Sequence, residues 1–206
     1  MTHKEFAQLG KGLLPGLPGF AVKGPLVFRS PVGHTLQALD FDRSADARHF
    51  YLHVFFLPLC VPRKHVSFGF GKRIRGTGWN VDIPDLEAAL ASAVQTEAVP
   101  FLSGLDTPKD VAETMKRLKG ESSKDLYVHE AIAYMLALAG ESAAAVGWLD
   151  RLLSLPTAEL GPWVRDIETR ARLIRAKLVE NPAKALDQLA LWEMESVRNL
   201  GLEKFR

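Results

Sequence analysis

The chain has 206 residues, 47% hydrophobic and 24% charged, with a net charge of +2. That is the composition of one large or two small soluble globular domains. A single cysteine, Cys60, excludes an intrachain disulfide, no apolar run is long enough to cross a bilayer, and the N-terminus lacks a signal-peptide core, so a cytoplasmic protein with no membrane partner is expected.

Charge is uneven along the chain. Residues 1–82 carry eleven Lys and Arg against five Asp and Glu, a net of +6, and the remainder carries a net of −4. The character of the sequence changes at the same place, so two domains are expected, 1–82 and 83–206.

Thr2-His3-Lys4-Glu5 has the order of a capping box, and Phe6, Leu9 and Leu13 follow at helical spacing. The helix should stop before Pro15-Gly16-Leu17-Pro18-Gly19. Leu26-Val27-Phe28 is a short apolar run, and 35–41 alternates loosely. Residues 49–57 are nearly all apolar or aromatic, which predicts a central strand buried on both faces. Residues 66–70 alternate and predict another strand. The connectors are too short for parallel crossovers, so the strands must run antiparallel. The first domain is expected to be a helix followed by a β-meander.

From Asp82-Ile83-Pro84-Asp85 onward, caps, apolar stripes and stops agree on helices. Leu86, Ala89, Leu90, Ala93 and Val94 share one face. Thr107-Pro108-Lys109-Asp110 opens the next helix, with Val111, Met115 and Leu118 as its stripe and Gly120 as its end. Ser122-Ser123-Lys124-Asp125 precedes the stripe Val128, Ile132, Met135 and Ala139, ended by Gly140. Ala145, Val146, Leu149, Leu152 and Leu153 mark a fourth helix that stops at Pro156. Pro162 starts a longer one with Val164, Ile167, Ala171, Ile174 and Leu178. Asn181-Pro182 caps the last, with Leu186, Leu189, Val197 and Leu200 predicted to face inward. The fold class is therefore α+β, with an antiparallel meander followed by an all-α hairpin stack.

The helical tail repeats itself. The stretch 140–149 can be laid over 180–189, so that Ala145 falls on Ala185, Val146 on Leu186 and Leu149 on Leu189. A small residue recurs where two helices must approach closely, as in stacked helical hairpins. The segment 133–140, followed by Ala145, Leu149 and Pro156, resembles a tetratricopeptide repeat over about 124–200. That resemblance implies a hairpin stack and a protein or peptide partner. Residues 1–80 more faintly resemble the bacterial domain of unknown function 4304, through Phe6, Leu9, Leu13, Gly19-Phe20, Phe28-Arg29, Phe41-Asp42-Arg43-Ser44 and 50–54. It implies a helix with an antiparallel sheet and supplies no activity.

Several residue groups are candidates for chemistry. Arg63, Lys64, Lys72, Arg73 and Arg75 concentrate positive charge around the predicted strand 66–70, next to Phe68, Phe70 and Trp79. Such a strip suits phosphate or nucleic acid, but charges that guard a sheet edge are the favoured reading. Asp40, Asp42 and Asp46 end a strand, with Asp40 and Asp42 on one face. Paired carboxylates hold metals or act as acid and base; capping of a turn is favoured here. His49 and His53, four residues apart on a strand, are separated by about 13 Å, too far to share a metal. Trp148, Trp163 and Trp192 are read as filler of the helix stack, with Trp192 placed for partial exposure and partner contact. Cys60, inside an apolar run, is read as a buried hydrophobe.

No triad, ligand set or nucleotide loop is recognised, so no catalytic residue, metal or cofactor is expected. The function predicted is a non-enzymatic protein-interaction module, of the immunity or adaptor kind. Nucleic-acid or phosphate binding by the basic strip is the disfavoured alternative. An enzyme would need a cleft where Asp42, a histidine and Arg73 converge.

Overall fold

A computed structural model describes residues 1–120, 123–156 and 161–206. The chain divides into two compact units, one of Met1–Leu57, Val66–Ser103 and Leu202–Arg206, the other of Pro58–His65 and Gly104–Gly201.

The first unit begins with α1 (His3–Leu13). Thr2 and Glu5 close the predicted capping box: the Glu5 N–H donates to Thr2 Oγ1 at 3.3 Å and the Thr2 N–H donates to Glu5 Oε2 at 2.5 Å. Phe6, Gly10 and Leu13 are buried, whereas Leu9 is half-buried. Gly10 is needed for close approach, because a Cβ there would lie 2.8 Å from Val27 Cγ2. Phe6 stacks on Phe41 at 5.5 Å and meets the edge of Phe50 at 5.7 Å.

The strands are β1 (Phe20–Lys23), β2 (Leu26–Arg29), β3 (Thr35–Arg43), β4 (His49–Pro58), β5 (Gly71–Arg73) and β6 (Trp79–Asn80). They form one sheet in the order β1-β2-β3-β4-β5, an antiparallel meander as predicted, and β6 also pairs with β4. β4 is buried without interruption from Leu52 to Pro58, as its apolar run predicts. The strand predicted at 66–70 is not one. The ladder resumes at Gly71, which pairs with Phe55. A Cβ at Gly71 would come within 2.6 Å of Phe55 Cβ and of the Val54 carbonyl oxygen, so glycine fixes where pairing begins.

The same unit continues through α2 (Leu86–Ala93), a π-helical turn at Val94–Ala98 and α3 (Val99–Leu102). Leu90 and Val94 are buried on the predicted stripe. The unit is joined by the turn Glu203–Phe205. The Val32 N–H donates to the Phe205 carbonyl at 2.7 Å, and the Phe205 ring meets the edge of Phe28 at 4.9 Å.

The second unit is a stack of helices: α4 (Pro108–Lys119), α5 (Leu126–Leu138), α6 (Ser142–Ser154), α7 (Trp163–Glu180) and α8 (Pro182–Asn199). Each contacts the next, and α5 also touches α7 and α8. This is a helical-repeat arrangement. Thr107 and Asp110 cap α4 reciprocally, Gly120 and Gly140 take the positive φ of a helix end, and Asn181 caps α8 through Ala183. Ser122 lies outside the described residues; Asp125 caps α5, accepting from the Tyr127 N–H at 2.9 Å.

The predicted stripe of α7 is buried in full. Two expectations fail. Leu118, on α4, is exposed, and so is Leu186, on α8. The repeat alignment nevertheless holds in burial. Ala145 and Ala185 are both fully buried, as are Leu149 and Leu189, while Val146 is half-buried where Leu186 is exposed. α5 is buried almost all round rather than along one stripe. Its Glu130, fully buried, accepts from Arg170 and from the Tyr134 hydroxyl.

Candidate functional site

The five cations of the basic strip fall into different units. Arg63 and Lys64 belong to the helical unit; Lys72, Arg73 and Arg75 belong to the sheet unit. Arg63 is half-buried. It donates to the Pro58 carbonyl at 3.2 Å and to the Tyr127 hydroxyl, with its guanidinium 5.3 Å from the Tyr127 ring. Lys64 is exposed.

Lys72 and Arg73 lie on β5, the end strand of the main path. Alternation puts them on opposite faces. Lys72 Nζ is 3.8 Å from Glu97 Oε2 and 5.9 Å from the Phe101 ring. Arg73 sits over the Tyr51 ring at 4.0 Å. Arg75 follows the strand in the left-handed region, φ 57°, over the Trp79 ring at 5.0 Å. Each cation of this trio is settled on an aromatic neighbour, an arrangement worth about 0.5–1 kcal/mol at an exposed site.

A second group forms on one face of the sheet. Asp40 and Asp42 share a face of β3 by alternation. Asp42 Oδ2 lies 3.6 Å from His53 Nε2. His53 pairs in register with Arg73, and Phe68 stacks flat on its ring at 4.1 Å and 9°. Antiparallel pairing thus sets Arg73 opposite His53, whose Nε2 faces Asp42, while the Arg73 guanidinium lies over Tyr51. Burial is the main cause that lowers the His53 pKa, with Asp42 acting in the opposite direction. Burial, and then Asp42, raises Asp40 to about 6. His49 is engaged elsewhere, 2.9 Å from Asp46 and 3.3 Å from the Asn80 amide. Asp46 also accepts from the Arg48 N–H at 2.9 Å, the turn-capping role predicted for it. Among the described residues no three His, Cys, Asp or Glu side chains group as metal ligands.

The helical unit offers a different kind of surface. Six of the eight large apolar side chains exposed among the described residues lie on α7 and α8: Trp163, Leu173, Val179, Leu186, Leu191 and Met194. Leu186, Ala190 and Met194 recur every four residues, a single row on the side of α8 that the stack leaves open. Periodicity marked the inward stripe of α8 but read Leu186 as part of it, so this second apolar row was missed. Trp192 is half-buried, 5.7 Å from the Tyr134 ring. Trp148 is buried against His129 at 5.0 Å, and Trp163 is exposed. Cys60 is buried, its thiol donating to Met135 Sδ at 3.9 Å, and burial pushes its pKa up. It is a core group, not a nucleophile.

Comparison with protein-family models, with curated proteins and with solved structures gives no match for the chain. Among the described residues no helix is long and apolar enough to cross a membrane.

Proposed function

We propose that this chain is a non-catalytic protein-interaction module whose helical unit receives an amphipathic helix of a partner protein on the open side of α8. The observation that carries this reading is the apolar row there. Leu191 is 60% exposed and Met194 52%. A helix face left open to water is ordinarily polar. α8 instead presents Leu186, Ala190, Leu191 and Met194, with Asp187 in the same stripe and Arg198 one turn beyond Met194. Exposed apolar side chains with charged residues among and beside them suit a protein interface. A helix laid along such a row is a recurrent mode of recognition.

The tetratricopeptide-like spacing around Gly140, Ala145 and Pro156 supports a protein or peptide partner. An adaptor or immunity role in a bacterial cytoplasm follows by analogy and belongs to the same proposal. The test is a Leu191→Glu/Met194→Glu variant. It should melt with the wild type, since both side chains are already in water. It should retain at most about a tenth of the partner that wild type captures from host lysate, because truncating a central apolar contact costs ~2 kcal/mol or more. Equal capture by both proteins would overturn the reading.

A further inference from the structure

The protein-binding reading leaves the polar group on the sheet unused, and that group stands on its own observations. Asp40 and Asp42 sit about 7 Å apart along one face of β3. His53 is only 7% exposed, and its Nε2 is buried without a hydrogen-bond partner. The 3.6 Å separation from Asp42 Oδ2 is longer than a hydrogen bond. Phe68 covers one face of the imidazole. Arg73 holds its guanidinium over Tyr51 rather than on a carboxylate. The groups that share this face, Asp42 beside His53 and Asp40 two residues along β3, are therefore acceptors. Two carboxylates contribute their oxygens, and in the tautomer protonated on Nδ1 the imidazole contributes Nε2.

We propose that Asp40, Asp42 and His53 form a binding site for a primary ammonium group, the end of a lysine side chain or of a small alkylamine. An ammonium carries three N–H donors and no acceptor, which complements this set. Tyr51 and Phe68 border it with aromatic rings, which favour a cation nearby. A divalent metal fits less well. It needs oxygen or nitrogen ligands at about 2.0–2.6 Å, and among the described residues no three such side chains group to hold one. An ammonium is held at hydrogen-bond lengths, about 2.7–2.9 Å, and tolerates the wider spacing. The raised pKa of Asp40 agrees with a carboxylate short of counter-charge.

The experiment is NMR on protein carrying labelled carboxyl and imidazole carbons, titrated with propylamine, with a short peptide holding one lysine, with sodium chloride at matched ionic strength and with zinc ion. Tyr51 and Arg73 are the other titratable or charged groups around the site, and the imidazole of His49, held by Asp46 and Asn80, serves as the reference signal. Either amine should shift the His53 and Asp40 resonances saturably and lower the Asp40 midpoint by about one pH unit, a tenfold loss of proton affinity. Asp42→Asn should weaken the response about tenfold, the value of one charge-assisted hydrogen bond. If that variant loses its dispersed amide spectrum, Asp40→Asn gives the same comparison. Response to propylamine as strong as to the peptide assigns a small amine; response to the peptide alone assigns a partner's lysine. The proposal falls if neither amine exceeds the salt control, if the response survives both substitutions, or if zinc alone saturates it. None of these outcomes depends on the α8 surface.

Discussion

Arg170 closes a two-pronged ion pair on Glu130, with Nε 2.7 Å from Oε1 and Nη2 3.0 Å from Oε2. Tyr134 adds a hydroxyl donor to Oε1 at 3.0 Å. Glu130 is fully buried. Burial raises its pKa, and Arg170 pulls it back down. Removing one partner of a buried pair strands the other. Arg170→Met is expected to cost about 3–5 kcal/mol in urea unfolding. The double variant Glu130→Leu/Arg170→Met should recover most of that loss, because an apolar pair of similar volume needs no compensation.

Ala145 is fully buried on α6, which contacts both α5 and α7. Ala145→Leu should destabilise by roughly 1–3 kcal/mol through overpacking. Val146→Leu, one position on and half-buried, should cost less. Thermal melts of the two variants decide it. Equal melting temperatures would remove the small-residue reading of the repeat.

Asp40 has a folded pKa of about 6 against an ordinary 3.8. The native state therefore binds more protons than the unfolded state between those values. Its contribution to stability is complete below the ordinary value and is lost as pH rises through 6. His53 runs the other way. Its pKa is lowered from 6.5, so its contribution is present above that value and is lost as pH falls through the folded one. Asp40→Asn deletes only the first effect. Relative to wild type it should gain about 1–3 kcal/mol between about pH 4 and pH 8, read from urea midpoints. A difference that is flat with pH would show that Asp40 titrates like an exposed carboxylate.

Arg73 and Arg75 test the disfavoured nucleic-acid reading. If they neutralise phosphates, gel-shift affinity should fall steeply with salt and weaken on Arg73→Ala/Arg75→Ala. We expect instead no salt-sensitive retardation by wild type and greater self-association of the variant. Lys72 and Arg73 lie on an end strand, where positive charge discourages pairing with another chain.

Local signals were legible and distant pairings were not. Thr2, Thr107, Asp125 and Asn181 announce their helices, because a cap is read from residues two or three apart. The inward stripe of α7 follows from its period alone. Residues 66–70 alternate like a strand, yet Phe68 turns its ring onto His53 and pairing waits for Gly71. Alternation reports side-chain direction, not which backbone groups find partners. Asp40 and Asp42 could be placed on one face, but the approach of His53 needs the pairing of β3 with β4. Glu130 interrupts the apolar run of α5 and carries no local signal of its role. Its partner is forty residues further on, beyond any periodicity. The exposed row of α8 was missed for a different reason: an apolar residue at helical spacing is assigned inward by default.

Residues 202–206 belong to the sheet unit although they follow α8 in the chain. A ribosome delivers Phe205 only after the whole helical unit has emerged. At ordinary synthesis rates, residues 104–201 take on the order of 5–20 s. During that interval the Phe28 ring has no Phe205 edge against it, and the Val32 N–H has no carbonyl from the last turn. The sheet unit, first to be made, is the last to be finished, and its final contacts form after the helices have had time to fold.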